Sequence, residues 1–319
     1  AEEMLKKAHE IHSRIGNDMG SANALDVLGS IYRAQSRCRE AEETLKKAHE
    51  IHSRLGDDRG IANASHNLGS IYRAQSRNRE AEESLKKAHE IYSRIGNDRG
   101  TENALDDLGS IYRAQSRYRE AEEALSKAHE IHSRIGNELG TANALHGLGS
   151  TYRAQLRNCE AEETLKKAHD IHSRIGNDLG TANALQVLGD LHRTQSSYQE
   201  AEECLTKAQN IYSLIRDDLG TGNTLRSLGR LFSQRRQYEE AQSLFCQALS
   251  AYSRKGSSFS RAQTLPFLAE TYVIQGNFLE AEESLNEALI IGIQLNDERL
   301  QAHPLEICHG YLAPGQSTA

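Results

Sequence analysis

The chain has 319 residues, a formal net charge of −7, 26% charged residues, 5% aromatics and no tryptophan. The negative balance argues against a nucleic-acid partner, and no apolar run approaches the ~18 residues of a membrane-spanning helix. Five cysteines, Cys38, Cys159, Cys204, Cys246 and Cys308, form no C-x-x-C pair, which argues against a disulfide framework or zinc site. Free thiols fit a reducing, cytoplasmic compartment.

Residues 1–15 predict a lone amphipathic helix whose stripe, Met4, Leu5, Ala8, Ile11 and Ile15, has no preceding helix to cover it. This uncapped helix is expected to fray or to self-associate end to end. The chain opens inside a repeat, shows no signal segment and reads as part of a longer protein.

From Asn17 the sequence is periodic. The stretch Leu25-Asp26-Val27-Leu28-Gly29-Ser30-Ile31-Tyr32-Arg33-Ala34-Gln35 returns in related form at Leu105, Leu145 and Leu185, at multiples of 40 residues. A fixed period of this length marks units that bury their apolar faces on one another. Residues 1–40 and 41–80 agree at 31 of 40 positions, and three differences are consecutive: Leu25/Ser65, Asp26/His66 and Val27/Asn67.

Within residues 17–55, Ala24, Leu25, Leu28, Ile31 and Tyr32 recur at helical spacing and define a helix A, with Asn17 or Asp18 as N-cap. Ser36 and Arg37 mark a short turn. Helix B carries Ala41, Leu45, Ala48, Ile51, His52 and Leu55, and Gly56 ends it in a left-handed conformation. Gly29 and Ala41 leave room where A and B cross. The same pattern predicts pairs at 17–55, 57–95, 97–135, 137–175, 177–215, 217–255 and 257–295. A short closing helix over 297–312, interrupted by Pro304, and a disordered tail 313–319 follow. Residues 1–312 thus read as one all-α array of stacked antiparallel helix pairs, an α-solenoid.

Two positions break the pattern. Pro266, the first proline of the chain, falls inside helix A of the last pair and predicts a late start or a kink. Ser65 stands where the other pairs carry Leu25, Leu105, Leu145, Leu185, Leu225 and Leu265, and predicts a local void.

Leu25-x-x-Leu28-Gly29-x-x-Tyr32 followed by Ala41-x-x-x-Leu45-x-x-Ala48 resembles the tetratricopeptide repeat. The unit here is 40 residues instead of the usual 34 and lacks the closing proline. This longer form, with Ile-Gly-Asn/Asp-x-x-Gly ahead of Leu-Gly, is similar to the repeats of spindle-orientation adaptors named for Leu-Gly-Asn. It also looks like the C-terminal arrays of fungal NOD-like receptors. The resemblance implies a right-handed superhelix whose concave groove, lined by helix A, binds peptides. The family's clamp for Glu-Glu-Val-Asp chaperone tails uses Lys and Asn where this chain carries Ser30, Asp26 and Val27, so that ligand is not expected.

No P-loop, nucleophile elbow or His-Glu-x-x-His motif is present, so no enzyme and no cofactor is expected. His9/His12 and His49/His52 have a spacing that metal ligands could use. Tyr92, Tyr212 and Tyr252 replace the second His, so the column calls for a bulky, half-buried ring and no metal. Glu42/Lys46 and Glu43/Lys47 read as a solvated helix face.

Four polar columns mark helix A. One is Asn23, Asn63, Asn103, Asn143, Asn183 and Asn223. A second is Asp26, His66, Asp106, His146, Gln186 and Arg226. A third is Ser30, Ser70, Ser110, Ser150, Asp190 and Arg230, and the last is Arg33, Arg73, Arg113, Arg153 and Arg193. Asn offers a donor and an acceptor to an extended peptide backbone, and Arg offers a planar fork to carboxylates. The expectation is a scaffold that holds a partner protein or peptide with an acidic segment. Two alternatives stay open: the ladders only join repeats, or the array senses ligands for a NOD-like receptor whose signalling domain lies upstream.

Overall fold

The computed structural model describes residues 1–307. The expected tail 313–319, Cys308 and the far end of the expected closing helix lie outside the described residues. Sixteen helices and no strand occur among the described residues: α1 Glu2–Arg14, α2 Asp18–Ala34, α3 Cys38–Leu55, α4 Asp58–Ala74, α5 Asn78–Arg94, α6 Asp98–Ala114, α7 Tyr118–Arg134 and α8 Glu138–Ala154. There follow α9 Asn158–Arg174, α10 Asp178–Thr194, α11 Tyr198–Leu214, α12 Asp218–Gln234, α13 Tyr238–Lys255, α14 Ser258–Gln275, α15 Phe278–Gln294 and α16 Glu298–Ile307. They fall into two compact units, residues 1–164 and 165 onward, with the boundary inside α9.

The first unit is a solenoid of antiparallel hairpins. Consecutive helices pack against each other, and the A helices α2, α4, α6 and α8 also touch one another in series. Local chemistry sets the ends. Asn17, Asn97 and Asn137 cap α2, α6 and α8 by accepting the N–H of Gly20, Gly100 and Gly140. Gly56 closes α3 at φ +66°, where a β-carbon would be strained. The A-to-B turn uses the same backbone shape without glycine: Ser36, Ser76, Ser116 and Leu156 all have φ near +60°.

Helices A and B meet at a glycine. A β-carbon on Gly29 would lie 2.5 Å from Leu45 Cγ, so the fully buried Leu45 fills the space that Gly29 leaves. Leu28, Tyr32, Leu68, Tyr72, Leu108 and Tyr112 join this core from successive A helices. A second device ties neighbouring hairpins. Arg77 lies 4.3 Å from the Tyr72 ring centre and pairs with Glu42 of the preceding B helix at 2.7 Å, while Tyr72 donates its hydroxyl to the same carboxylate. Arg37/Tyr32/Glu2 and Arg117/Tyr112/Glu82 repeat it. Lys6 and then Arg37 pull the Glu2 carboxyl down to about 2. Glu42 was read as a member of a solvated face; it is instead an inter-repeat tie, and only its Lys46 contact is the expected helical pair.

The second unit follows the same plan through α10 to α16, with α10, α12, α14 and α16 touching in series. Phe245 takes the place of Leu45 against Gly229. The expected late start at Pro266 and the expected interruption at Pro304 are corrected. α14 begins at Ser258 and continues past Pro266, and α16 continues past Pro304 to Ile307. Pro266 removes one N–H and costs about 3 kcal/mol. Leu265, Leu268 and Ala269 are buried on the same helix, and at about 1.5–3 kcal/mol for each large side chain the packed face outweighs that loss.

The leucine column is core throughout: Leu25, Leu105, Leu145, Leu185, Leu225 and Leu265 are all buried. Ser65 is buried too, and it borders a cavity of about 250 Å³ with Leu68, His49, Lys46 and Lys87. Ser65→Leu should therefore stabilise the chain by about 1–3 kcal/mol in urea unfolding, the scale for burying a leucine side chain. A neutral or destabilising result would mean that the cavity cannot receive it.

Candidate functional site on the A helices

The polar columns of helix A are organised by the ring column of helix B. That ring was expected to be half-buried. It is fully buried at His52, His132, His172, Tyr212 and Tyr252, and nearly so at Tyr92. The reason is a glycine one hairpin on: a β-carbon on Gly60 would overlap the His52 ring, and Gly100 and Gly140 make the same room for Tyr92 and His132. These rings therefore sit against the start of the next A helix, and His52, Tyr92 and His132 turn their polar ends back to the A helix of their own hairpin.

Ring length decides which column residue it meets. The Tyr92 hydroxyl donates to Asn63 Oδ1 at 2.7 Å, and in the second unit Tyr212 and Tyr252 donate to Asn183 and Asn223. Histidine stops short of that Asn. His52 Nε2 and His132 Nε2 lie 2.9 Å from Asp26 Oδ2 and Asp106 Oδ2. Asn23, Asn103 and Asn143 remain exposed, without a hydrogen bond among the described residues. Burial raises the pKa of Asp26 and Asp106, and their hydrogen bonds to His52 and His132 oppose it. Asp26 and Asp106 thus face inward. The legible signal was a partial pairing by repeat: Asp occurs at 26 and 106 where the ring is His52 or His132, and His66 where it is Tyr92, but His146 accompanies His172.

Glu102 was missed. It stands where other repeats have Ala22, Ala62 and Ala142, is buried, and lies 2.8 Å from His132 Nδ1. His132 is held between two carboxylates. Burial opposes its charge, but the Asp106 hydrogen bond and the charges of Asp106 and Glu102 outweigh burial and raise its pKa.

The arginine column divides. Arg73 pairs with Asp107 of the next A helix at 2.9 Å, and Ser70 and His66 approach the same carboxylate at 3.4 and 3.3 Å. Burial raises the Asp107 pKa, but His66, Arg73 and Ser70 more than reverse it. Arg33 is exposed and Arg113 half-buried; the positions equivalent to Asp107 are Asn67 and Gly147. Burial, then the charge of Arg153, holds the Arg113 pKa below its ordinary value. Arg153 Nε is buried without a hydrogen-bond partner. Neither Arg113 nor Arg153 has an acidic partner among the described residues. In the second unit Arg193 is buried, 3.5 Å from Asp190, and Arg226 donates to Gln263 at 3.0 Å.

Between α2 and α4, Asp26, Val27, Ser30, Asn63, His66 and Asn67 surround a recess of about 360 Å³. His146 is half-buried on α8 and Gln186 accepts from Tyr212 at 3.2 Å. No group of three His, Cys, Asp or Glu residues able to hold a metal ion occurs among the described residues.

The tetratricopeptide repeat model matches residues 1–54, 20–94, 60–134, 100–174, 140–213 and 195–254. The chain belongs to the tetratricopeptide repeat family. The apo form of RapI shares the fold with a TM-score of 0.74 at 16% identity, over 86% of this chain and 98% of that one. Aspartyl phosphate phosphatase F from Bacillus subtilis gives 0.69 at 14%, over 88% and 73%. A putative kinesin light chain from Podosopora anserina with nearly identical TPR-like repeats gives 0.52 at 20%, over 61% and 96%. At these identities the likeness is one of fold. No curated protein matches the sequence significantly. Among the described residues no helix is long and apolar enough to cross a membrane.

A raised His132 pKa stabilises the fold fully below the unfolded value of about 6.5, and that contribution is lost as pH rises through the folded value. Glu102→Ala, which restores the residue of the other repeats, should lower the His132 pKa in an NMR titration. It should also flatten the fall of Tm between about pH 6 and 8. An unchanged His132 titration would show that Glu102 does not act on the ring.

Proposed function

We propose that this chain is a non-enzymatic scaffold that holds an acidic segment of a partner protein against the A helices of its first unit. Tetratricopeptide repeats are in general scaffolds for protein–protein interaction. The observation that carries the finer reading is the Arg113–Arg153 pair: two neighbouring guanidiniums, partly desolvated and without acidic partners among the described residues, in a protein of net charge −7. Such a pair gains most from a carboxylate, which both forks can bind in plane. Asn103 and Asn143, exposed on the same helices, add donors and acceptors for the backbone of an extended peptide. One solved relative of this fold is a Rap protein complexed with competence and sporulation factor. We place the protein in the cytoplasm because none of the cysteines among the described residues is in a disulfide.

The test is binding of a fluorescent Asp/Glu-rich peptide. Arg113→Ala and Arg153→Ala should each weaken it about tenfold or more, the scale for a hydrogen bond to a charged group. Affinity should fall with added salt, since exposed charges are screened over about 8–10 Å. Equal binding by the double variant would overturn the reading.

A ligand-sensing receptor array is the second reading, favoured by one fact. Asp26/His66 and Val27/Asn67, which differ between near-identical repeats, line the recess of about 360 Å³. A nucleotide-binding P-loop upstream of Ala1 would decide for it. Self-association belongs to the first reading: Met4 and Ile11 of α1 and Ile15 just after it are exposed, while Leu5 packs on the core. Sedimentation should then show a larger species that Ile11→Glu abolishes.

A further inference from the structure

The last A helices depart from the repeat most where they surround a cavity. In the second column Asp26 becomes Arg226 and then Pro266; in the third, Ser30 becomes Arg230; at the position of Val27 stands Phe267. These residues of α12 and α14 meet Arg299, Leu300 and His303 of α16 around a space of about 410 Å³. That is the size of a small-ligand pocket.

Its lining has two characters. Phe259, Pro266, Phe267 and Leu300 supply an apolar wall. Arg226, Arg230, Arg299 and His303 supply positive charge. The Arg230 guanidinium lies 4.6 Å from the Phe267 ring centre, which orients its plane, and Gln263 fixes Arg226 by accepting from it. The nearby acids have other partners: Asp190 accepts from Ser227 at 3.2 Å and lies 3.5 Å from Arg193, and its charge and that of Glu270 reach Arg230 without an ion pair among the described residues. Asp297 Oδ1 accepts the N–H groups of Arg299 and Leu300 at the start of α16. Glu270 lies 3.6 Å from His303 Nε2 and raises its pKa. Burial, then the charge of Arg193, lowers the Arg230 pKa, and Asp190 and Glu270 offset this only in part, so a bound anion would relieve what remains.

We propose that this cavity binds a small organic acid, its carboxylate on the Arg226–Arg230 pair and an aromatic or branched apolar body against Phe259, Pro266 and Phe267. Two planar guanidiniums, that of Arg230 over the Phe267 ring, match a planar carboxylate, and the apolar wall requires a ligand that is more than a bare anion. This site lies in the second unit and is independent of the arginine pair of the first.

Calorimetric titration of the full chain with 4-phenylbutyrate, 4-phenylbutanamide and inorganic phosphate tests it. The acid should bind once per chain, with the amide and phosphate each at least tenfold weaker. Arg230→Gln should weaken the acid at least tenfold with its melting curve unchanged. Arg299→Ala, an exposed rim residue, should weaken it several-fold and serves where Arg230→Gln disturbs packing. The Arg113→Ala/Arg153→Ala variant should bind the acid as before, which separates this site from the acidic-peptide reading. No binding of the acid, equal binding of acid and amide, phosphate as tight as the acid, or full binding by both cavity variants would overturn the proposal.

Discussion

The structure depends on a ring pressed against a glycine. Within each unit a His or Tyr of helix B lies where a β-carbon of the next A helix would have to be: His12 at Gly20, His52 at Gly60, Tyr92 at Gly100, His132 at Gly140, His172 at Gly180 and Tyr212 at Gly220. This contact couples hairpins, whereas the Gly29–Leu45 contact only closes one. A buried ring with a polar tip needs a partner, and the A helix of its own hairpin supplies one in Asp26 to His52, Asn63 to Tyr92 and Asp106 to His132. Much of the polar character of the A helices is therefore structural.

The same holds for most of the charge. Arg37, Arg77 and Arg117 are taken up by tyrosine faces and the carboxylates of the preceding hairpin. Arg73 is taken up by Asp107. Against that background, arginines without an ion pair among the described residues stand out. Arg113 and Arg153 are one such group; Arg226 and Arg230 are another. A repeat protein stabilises itself by nearest-neighbour contacts, so a residue left out of those contacts is the natural place to look for a ligand.

The departures from the repeat have different consequences because their neighbours differ. Glu102 in an alanine position is tolerated because His132 can carry the compensating charge. Ser65 in a leucine position leaves space, since it borders a cavity of about 250 Å³. Pro266 leaves its helix whole, because a long helix buried along one face can lose one hydrogen bond without losing its packing.

By itself the sequence determined the helices and their caps. The 40-residue period, Leu28-Gly29, Asn17 and Gly56 act within a few residues of themselves, and local propensity and apolar spacing are enough to read them. It also determined that the A helices carry polar columns. Which members of those columns are free was decided only by tertiary structure. Asn63 and Asn103 are the same residue in the same motif, yet Asn63 accepts from Tyr92 and Asn103 has no hydrogen bond among the described residues. Arg73 and Arg113 are likewise identical in local sequence, yet one meets Asp107 and the other the position of Gly147. The difference lies 29 to 34 residues away along the chain, in a side chain that only the stacking of hairpins brings into contact.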